Sequence, residues 1–416
     1  MGYVAVRGGQ EAIEESLRLL EWERVRTRTT VSVEGIQAAF PDLIDQVMGE
    51  SSLYAPELAA LALKQAQGSP EEAVFLLRAF RSTLERPYVS RTVDTARMHV
   101  DRRISSTFKD VPGGQILGAT RDYSHRLIDA SLREEDDEAL REKRKKLKRT
   151  WRKQALKHAA EAFEAAGGFR EVPGEDDAEG AGGADGVEDA PDAPADGGRL
   201  PKAIDYLRDQ GLLVSYEPSD EEPVDVTTEP LTFPVPRSAR LQTLARGMTG
   251  AVCALGYAAI RGFGSAHPTV GELRHGTIEV AIDSPLGDAG PDEAYYVGSL
   301  PVTEVESVFQ VEVAGESGEK ELALDLGFGM VMGRAETKAI AMSVLDNCLN
   351  IGDKRFPTQD EEFVLYHIDG IEATGFISHL KLPHYVTFQS KLSTVRKTKG
   401  AAAPGEGGCE DAGQEV

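Results

Sequence analysis

Cysteine is scarce in this chain. Three occur in 416 residues, at Cys253, Cys348 and Cys409, and no two form a CxxC pair. Such spacing supports neither a disulfide framework nor a thiolate set for an iron–sulfur cluster, so any radical chemistry would fall to a partner. Positive charge is also short: 46 Lys and Arg stand against 69 Asp and Glu, a net −23. With a sequence pI near 4.8, the chain lacks the basic footprint of a nucleic-acid binder. No apolar run reaches the roughly 18 residues that suggest a membrane-spanning helix. The opening MGYVAVRGGQEAIEES lacks the apolar core of a secretion signal. The expectation is a cytoplasmic protein with no membrane association. A Walker P-loop, HExxH, GxSxG and a complete GxGxxG are all missing, which argues against P-loop ATPase, zinc protease, esterase and Rossmann readings together.

What is present divides into four blocks. Residues 1–134 read as a helical region, 135–199 as a charged helix with a disordered acidic linker, 200–396 as an α+β domain, and 397–416 as a disordered tail. The class is therefore α+β: helices first, then a mostly antiparallel sheet flanked by helices. Glu11–Arg28 spaces Ile13, Leu17 and Leu20 along one side, and PELAALALKQAQ (Pro56–Gln67) is rich in strong helix formers. Ser69-Pro70-Glu71-Glu72 is a helix start, with Ser69 as cap, Pro70 in the first turn and Glu72 completing a capping box. After the VPGGQILG turn, Thr120–Leu132 is expected to resume a helix that runs into a basic stretch, Arg141–Lys157. Gly167–Gly198 reverses the sign, and its Ala, Gly and Pro content cannot bury enough apolar surface to offset ordering entropy. The basic helix is either a solvated face or a surface over which the acidic linker folds back.

Beyond Pro201, Arg237–Ile260 is expected as one helix, apolar nearly all round in GAVCALGYAAI. TIEVAID, AYYVGSL, VESVFQVEVAG and ELALDLGFGMVM carry strand signals, and the acidic turn between the last two suits an antiparallel hairpin. Helices at Arg334–Leu349 and Thr358–Ile371 follow.

Three clusters hold groups capable of chemistry. In VPGGQILGATRDYSHRLID, Gly113 and Gly114 permit close approach of a ligand to backbone. On the expected helix behind them Asp122, His125 and Arg126 share a face. Asp122 could orient His125 for proton transfer, or the group is a surface ion pair. In RGFGSAHPTVGELRHG, Gly262 and Gly264 leave amides accessible, Arg261, Arg274, His267 and His275 add donors, and Glu272 is the nearby carboxylate. That makes a polyphosphate cradle or a purely structural connection. The third cluster is GFISHLKLPHYV, with His379 and His384 five residues apart. On one helix they would point roughly 140° apart. Pro383 opposes an uninterrupted helix and disfavours the helical conformation at Leu382, so a bend could bring the rings together. Imidazole is the commonest zinc ligand among side chains. The alternatives are a packed or surface histidine pair and a metal site short of two ligands.

Taken together, several blocks in order resemble one family. They are RGGQEAIEES, ELAALALKQAQG, EEAVFLLRAFRSTLE, RRISSTFKDVPGGQILGATRDYSHRLID, RSARLQTLARG, RGFGSAHPTVGELRHG and DEEFVLYHIDGIEATGFISHLKLPHYVTFQ. They are similar to the I subunit of the bacterial carbon–phosphorus lyase core complex, over roughly residues 1–132 and 200–395. The resemblance implies a protein of phosphonate breakdown that releases the base from purine nucleoside triphosphates when alone. With G, H and L partners it would replace adenine on MgATP with an alkylphosphonate such as methylphosphonate, giving α-D-ribose 1-methylphosphonate 5-triphosphate. The J subunit, a radical enzyme with an iron–sulfur cluster, would later break the C–P bond. The resemblance also implies a zinc ion at the boundary with the J subunit, held here by His379 and His384. A non-catalytic scaffold supplying those zinc ligands is the alternative. The stretch from about Glu134 to Arg199 and the tail after Lys399 look like additions to the family pattern.

Overall fold

The structure, a computed structural model, describes residues 9–111, 113–165, 200–216, 221–263, 267–286, 293–314 and 319–400. It separates into two units. One comprises Met1–Ala119 and Asp196–Val416, the other Thr120–Ala195.

The first unit opens with α1 (Gly9–Val25), which buries no residue. Four short helices follow: α2 (Val33–Ala39), α3 (Pro41–Ser51), α4 (Pro56–Gln65) and α5 (Pro70–Arg81). Three of these begin at a proline, whose missing N–H is one that a helix start leaves unpaired anyway. The Ser69 hydroxyl caps α5 as expected, accepting from the Glu72 amide at 3.3 Å. The Ser69 amide already donates to the Ala66 carbonyl at 3.1 Å, so Glu72 does not complete the reciprocal bond of a capping box. Ile44, Val47, Met48, Leu63, Val74 and Leu77 form the core of this bundle, and Met332 and Ile371 pack against it from far along the chain.

The sheet is fully antiparallel, in the order β1 (His99–Ile104), β2 (Thr269–Asp283), β3 (Ala294–Ala314), β4 (Lys320–Met332). Between β1 and β2 the chain forms α6 (Asp137–Ala165) in the second unit, then α7 (Ala203–Asp209), α8 (Arg237–Arg246) and α9 (Thr249–Ala258) in the first. Both flanks of the insertion are fixed to β1 or its approach. Leu200 donates its amide to the Ala96 carbonyl at 3.0 Å. A side chain on Gly118 would meet the Asp101 carbonyl at 2.7 Å, so the outgoing chain lies flat on the strand. A long insertion can grow between two such fixed points without disturbing the sheet, because closure entropy rises only slowly with length.

The expected strands AYYVGSL and VESVFQVEVAG are one continuous β3 passing through Pro301. Proline is tolerated there because β4 ends opposite Val302, so only one neighbouring strand remains at Pro301, and its carbonyl is taken by the Gly333 amide at 2.8 Å. Next, α10 (Glu336–Ile351) lies across β3 and β4. Gly327 and Gly329 let it settle: a Cβ at either would fall 1.9 Å from the Ser343 carbonyl oxygen or 2.1 Å from that of Ala339. Leu244, Leu273, Val305, Val331, Leu345 and Ile368 centre the resulting core.

Two expected helices are split. Arg237–Ile260 breaks at Gly247, whose extended backbone (ψ 154) brings it against Val252 and Ile368. Thr358–Ile371 becomes α11 (Glu361–His367) and α12 (Gly370–Ser378), because Asp360 and Asp369 each start a new helix by accepting its first free amides. The last element is α13 (Tyr385–Thr398).

In the second unit, Thr120–Leu132 is not the expected α-helix. Its backbone turns left-handed at Arg126 (φ 55) and a short 3₁₀ turn spans Ala130–Glu134. The Thr120 hydroxyl and Asp129 carboxylate accept from the amides of Asp122 and Ser131, local bonds that compete with a helix. The basic stretch does form a helix, α6, of 29 residues. Gly167–Gly198 and residues 401–416 lie outside the described residues. Among the described residues, no helix is long and apolar enough to cross a membrane.

Candidate functional site

The bend expected at Pro383 is present and built in steps. Asp369 starts α12, accepting from the amides of Ile371 and Glu372 at 2.9 and 3.1 Å. The helix ends at His379 in a single 3₁₀ turn, His379–Lys381. Leu382 is then extended (φ −72, ψ 155), as a residue before proline should be, and His384 opens α13. This reversal sets the two imidazole rings 5.4 Å apart, centroid to centroid.

Each ring is held by its Nδ1. His384 donates from Nδ1 to the Leu382 carbonyl at 2.6 Å, and His379 does the same to the Phe376 carbonyl. A carbonyl can only accept, so Nδ1 carries the proton and the Nε2 lone pair stays available on both rings. A backbone carbonyl behind the ring is the usual support for a metal-binding histidine. Two imidazoles on one tetrahedral zinc, each bonded at about 2.1 Å, would place their centroids about 5 Å apart, close to the spacing found. The residues fit half of a zinc site. Among the described residues, no group of three or more His, Cys, Asp or Glu could hold a metal by itself, so none of them completes the site beside the pair. The surroundings suit an interface: Phe376, Ile377, Leu380, Leu382, Tyr385, Val386 and Phe388 are all exposed, Val386 at 86%. A contiguous apolar surface of this kind is uncommon on a free protein.

The other expected clusters lie elsewhere. Arg261 is exposed in the turn just past the end of α9, with its guanidinium 6.0 Å from the Tyr257 ring. Gly262 takes a positive φ of 116° with open space around it, and His267 is exposed. Gly264 lies outside the described residues. The second half of the expected cradle is strand: Glu272, Arg274 and His275 belong to β2 and are buried. His275 meets the Thr303 hydroxyl at 3.1 Å, and burial holds its pKa below the ordinary value. Asp122 and His125, in the second unit, are exposed and share no helix face; Asp122 instead lies 3.9 Å from Arg126.

Buried charge is the feature that sequence reasoning missed. On the sheet face away from α10, Arg103 pairs with Glu272, Arg274 reaches Glu304 at 3.2 Å, and Lys202 bridges Glu304 and Glu306. Alternating charges at cross-strand positions of β2 and β3 were the signal. Lys338 is a separate case. Its ammonium is buried at the C-terminal end of α8, donating to the Ala245 and Gly247 carbonyls at 2.7 and 2.6 Å, where helix carbonyls lack partners. Burial pushes its pKa down to about 8, against an ordinary 10.5. Between those values the unfolded chain holds a proton that the folded chain has released, so this residue makes stability rise with pH through that window. The stability advantage of wild type over Lys338→Met, measured by urea unfolding, should therefore grow from pH 8 towards 10.5. A constant difference would contradict the assignment.

Comparison with known proteins places the chain. The family described as bacterial phosphonate metabolism protein (PhnI) matches residues 2–402. The protein HtxH of Stutzerimonas stutzeri is 39% identical over 408 residues, covering 97% of each chain. The alpha-D-ribose 1-methylphosphonate 5-triphosphate synthase subunit PhnI of Rhizobium meliloti is 38% identical over 428 residues, 99% of this chain and 100% of that one. Its namesake from Escherichia coli is 38% identical over 406 residues, 95% and 98%. The chain belongs to the bacterial phosphonate metabolism protein (PhnI) family.

Proposed function

We propose that this chain is the subunit that displaces adenine from MgATP with an alkylphosphonate, yielding α-D-ribose 1-methylphosphonate 5-triphosphate from methylphosphonate. Alone, it acts as a purine nucleosidase. The observation that carries the reading is the near-full-length match to relatives named as subunits of that synthase. Its partners in this reading are the G, H and J subunits of the core complex and the L subunit. The His379/His384 pair supports it, since a half-built metal site inside an exposed apolar surface suits a subunit boundary.

Displacement at the anomeric carbon develops positive charge on the sugar and negative charge on the departing base. The chain must deliver a proton to that base and hold the triphosphate with fixed cations. His379 and His384 each present one Nε2 lone pair from a ring locked by its backbone carbonyl. Zinc bound there would supply a Lewis acid for a phosphoryl oxygen. The apolar side chains around the pair would keep water from that boundary once a partner covers it.

The same apolar surface favours a second reading, a scaffold that supplies zinc ligands and joins the other subunits without catalysis. One assay separates them. Purified chain is incubated with MgATP, with and without methylphosphonate and partner subunits, and free adenine is followed by chromatography. Release that rises with partners and phosphonate supports the synthase reading. No release under any condition leaves the scaffold, and release indifferent to phosphonate points to an independent nucleosidase.

A further inference from the structure

We propose that a second site on this chain, a cavity lined by Arg81, Arg86 and Arg246, binds the polyphosphate of a nucleoside triphosphate. The inference rests on the reading in which MgATP is the substrate, and it names where the triphosphate is held. The cavity encloses about 350 Å³ between the end of α5, the turn at Asp225, the end of α8, the end of β4 and the stretch of β3 beside it. That volume is within the range of small-molecule sites.

Three observations point to an anion. First, the local charge is positive in a chain whose net charge is −23. Asp225 is the lining acid, and it is already engaged: it pairs with Arg86 and accepts from the Thr227 amide at 3.0 Å and the Thr227 hydroxyl at 2.6 Å. Nearby Asp369 is held by Arg78 through two bonds of 2.9 and 2.8 Å. Arg81 and Arg246 are left with backbone carbonyls, those of Thr227 at 3.5 Å and Val226 at 3.1 Å. Second, the Nε atoms of both Arg81 and Arg246 are buried without a hydrogen-bond partner among the described residues. A buried donor left unmet costs free energy, so neither guanidinium is fully answered by the protein around it. Third, burial and then the neighbouring Arg78 and Arg81 press the Arg246 pKa down to about 10, the mark of cations gathered without enough counter-charge.

The usual reason for an arginine at a helix C-terminus does not account for Arg246. Lys338 already answers the Ala245 and Gly247 carbonyls there. Guanidinium groups suit phosphate because their planar fork matches two oxygens at once. The lining also includes Leu300 and Met330, apolar side chains that fit the organic part of a nucleotide. On its other side Arg246 faces a cavity whose remaining charges are Glu229, Asp369 and Glu372, which repel an anion. The placement also relates to the histidines: Asp369, bonded to Arg78, starts α12 and His379 ends it. A helix of that length separates the two by about 14 Å.

The test titrates inorganic tripolyphosphate, MgATP and adenosine into full-length protein by calorimetry. The variants are Arg81→Ala/Arg86→Ala and, as a surface control, Arg355→Ala. Wild type and the control should bind tripolyphosphate and MgATP. The double variant should bind both about tenfold or more weakly, the effect of losing charge-assisted hydrogen bonds, with adenosine binding unaltered. Equal binding by wild type and the double variant overturns the site. Should the double variant not fold, an arginine-selective dicarbonyl reagent on wild type gives the same answer by mass spectrometry. Tripolyphosphate should protect Arg81 and Arg86, and equal labelling with and without it overturns the proposal. Tripolyphosphate binding at these arginines without any adenine release would keep the site and sink the displacement reading. Adenine release with an unchanged KM for MgATP in the double variant would sink the site and keep the reaction.

Discussion

Replacing His379 and His384 together with alanine is expected to strip zinc from the assembled complex and to lower phosphonate-dependent adenine release by about 100-fold or more. Changing even the groups behind a metal ligand commonly costs about 10–100-fold, and here both proposed ligands are removed. The fold should survive. His384 is exposed and His379 half-buried, and neither belongs to the buried cores. Their supports are carbonyls within two or three residues, so nothing distant depends on them. Metal content by mass spectrometry and unfolding by circular dichroism, measured on the same preparations, separate the two effects. Equal zinc in wild type and double variant would remove the metal assignment. Loss of fold would make the pair structural instead.

The largest expected effect on stability belongs to Arg103. Its side chain is 1% exposed and that of its partner Glu272 is 2% exposed. Arg103 also donates to the Pro201 carbonyl at 2.7 Å, and Glu272 accepts from the Ala203 amide at 2.8 Å. The pair therefore fastens the returning end of the insertion and the start of α7 to β1 and β2. Arg103→Ala leaves a buried carboxylate without its cation, which typically costs about 3–5 kcal/mol. Against a total stability of about 5–15 kcal/mol, that is enough to unfold much of the population on modest heating. Arg103→Met/Glu272→Met removes both charges and should lose far less, because no uncompensated charge remains. Urea unfolding of the three proteins tests this. A single variant as stable as wild type, or a double variant less stable than the single, would contradict the account.

Local signals in the sequence were read well where the chemistry is local. Ser69 caps α5, Pro383 bends the chain between the histidines, and the antiparallel hairpin joins β3 to β4, each a matter of a few adjacent residues. The family likeness was visible for a different reason, since many blocks in one order are specific when no single one is. Tertiary context decided the rest. The strand signals AYYVGSL and VESVFQVEVAG stood apart across Pro301, yet that residue falls where β4 stops and β3 needs no second neighbour. Thr120–Leu132 has helical composition, but the Thr120 and Asp129 side chains satisfy the backbone locally. Gly327 and Gly329 lie within the expected strand ELALDLGFGMVM, and only the packed structure shows that they admit α10 against the sheet. For the candidate site, the bend that brings the two histidine rings together was legible from spacing and proline chemistry. The arginine cavity was not, because Arg81, Arg86, Asp225 and Arg246 are far apart in sequence and each looks like an ordinary surface charge.

The displacement reaction itself is tested most directly by phosphorus NMR of the product mixture. The assembled complex is incubated with MgATP and methylphosphonate, and the phosphonate resonance is followed for coupling to the anomeric proton of ribose. The account predicts a phosphonate ester at the anomeric carbon together with an intact 5-triphosphate, appearing in step with free adenine. Free adenine with unmodified methylphosphonate and ribose triphosphate would show hydrolysis alone and contradict it.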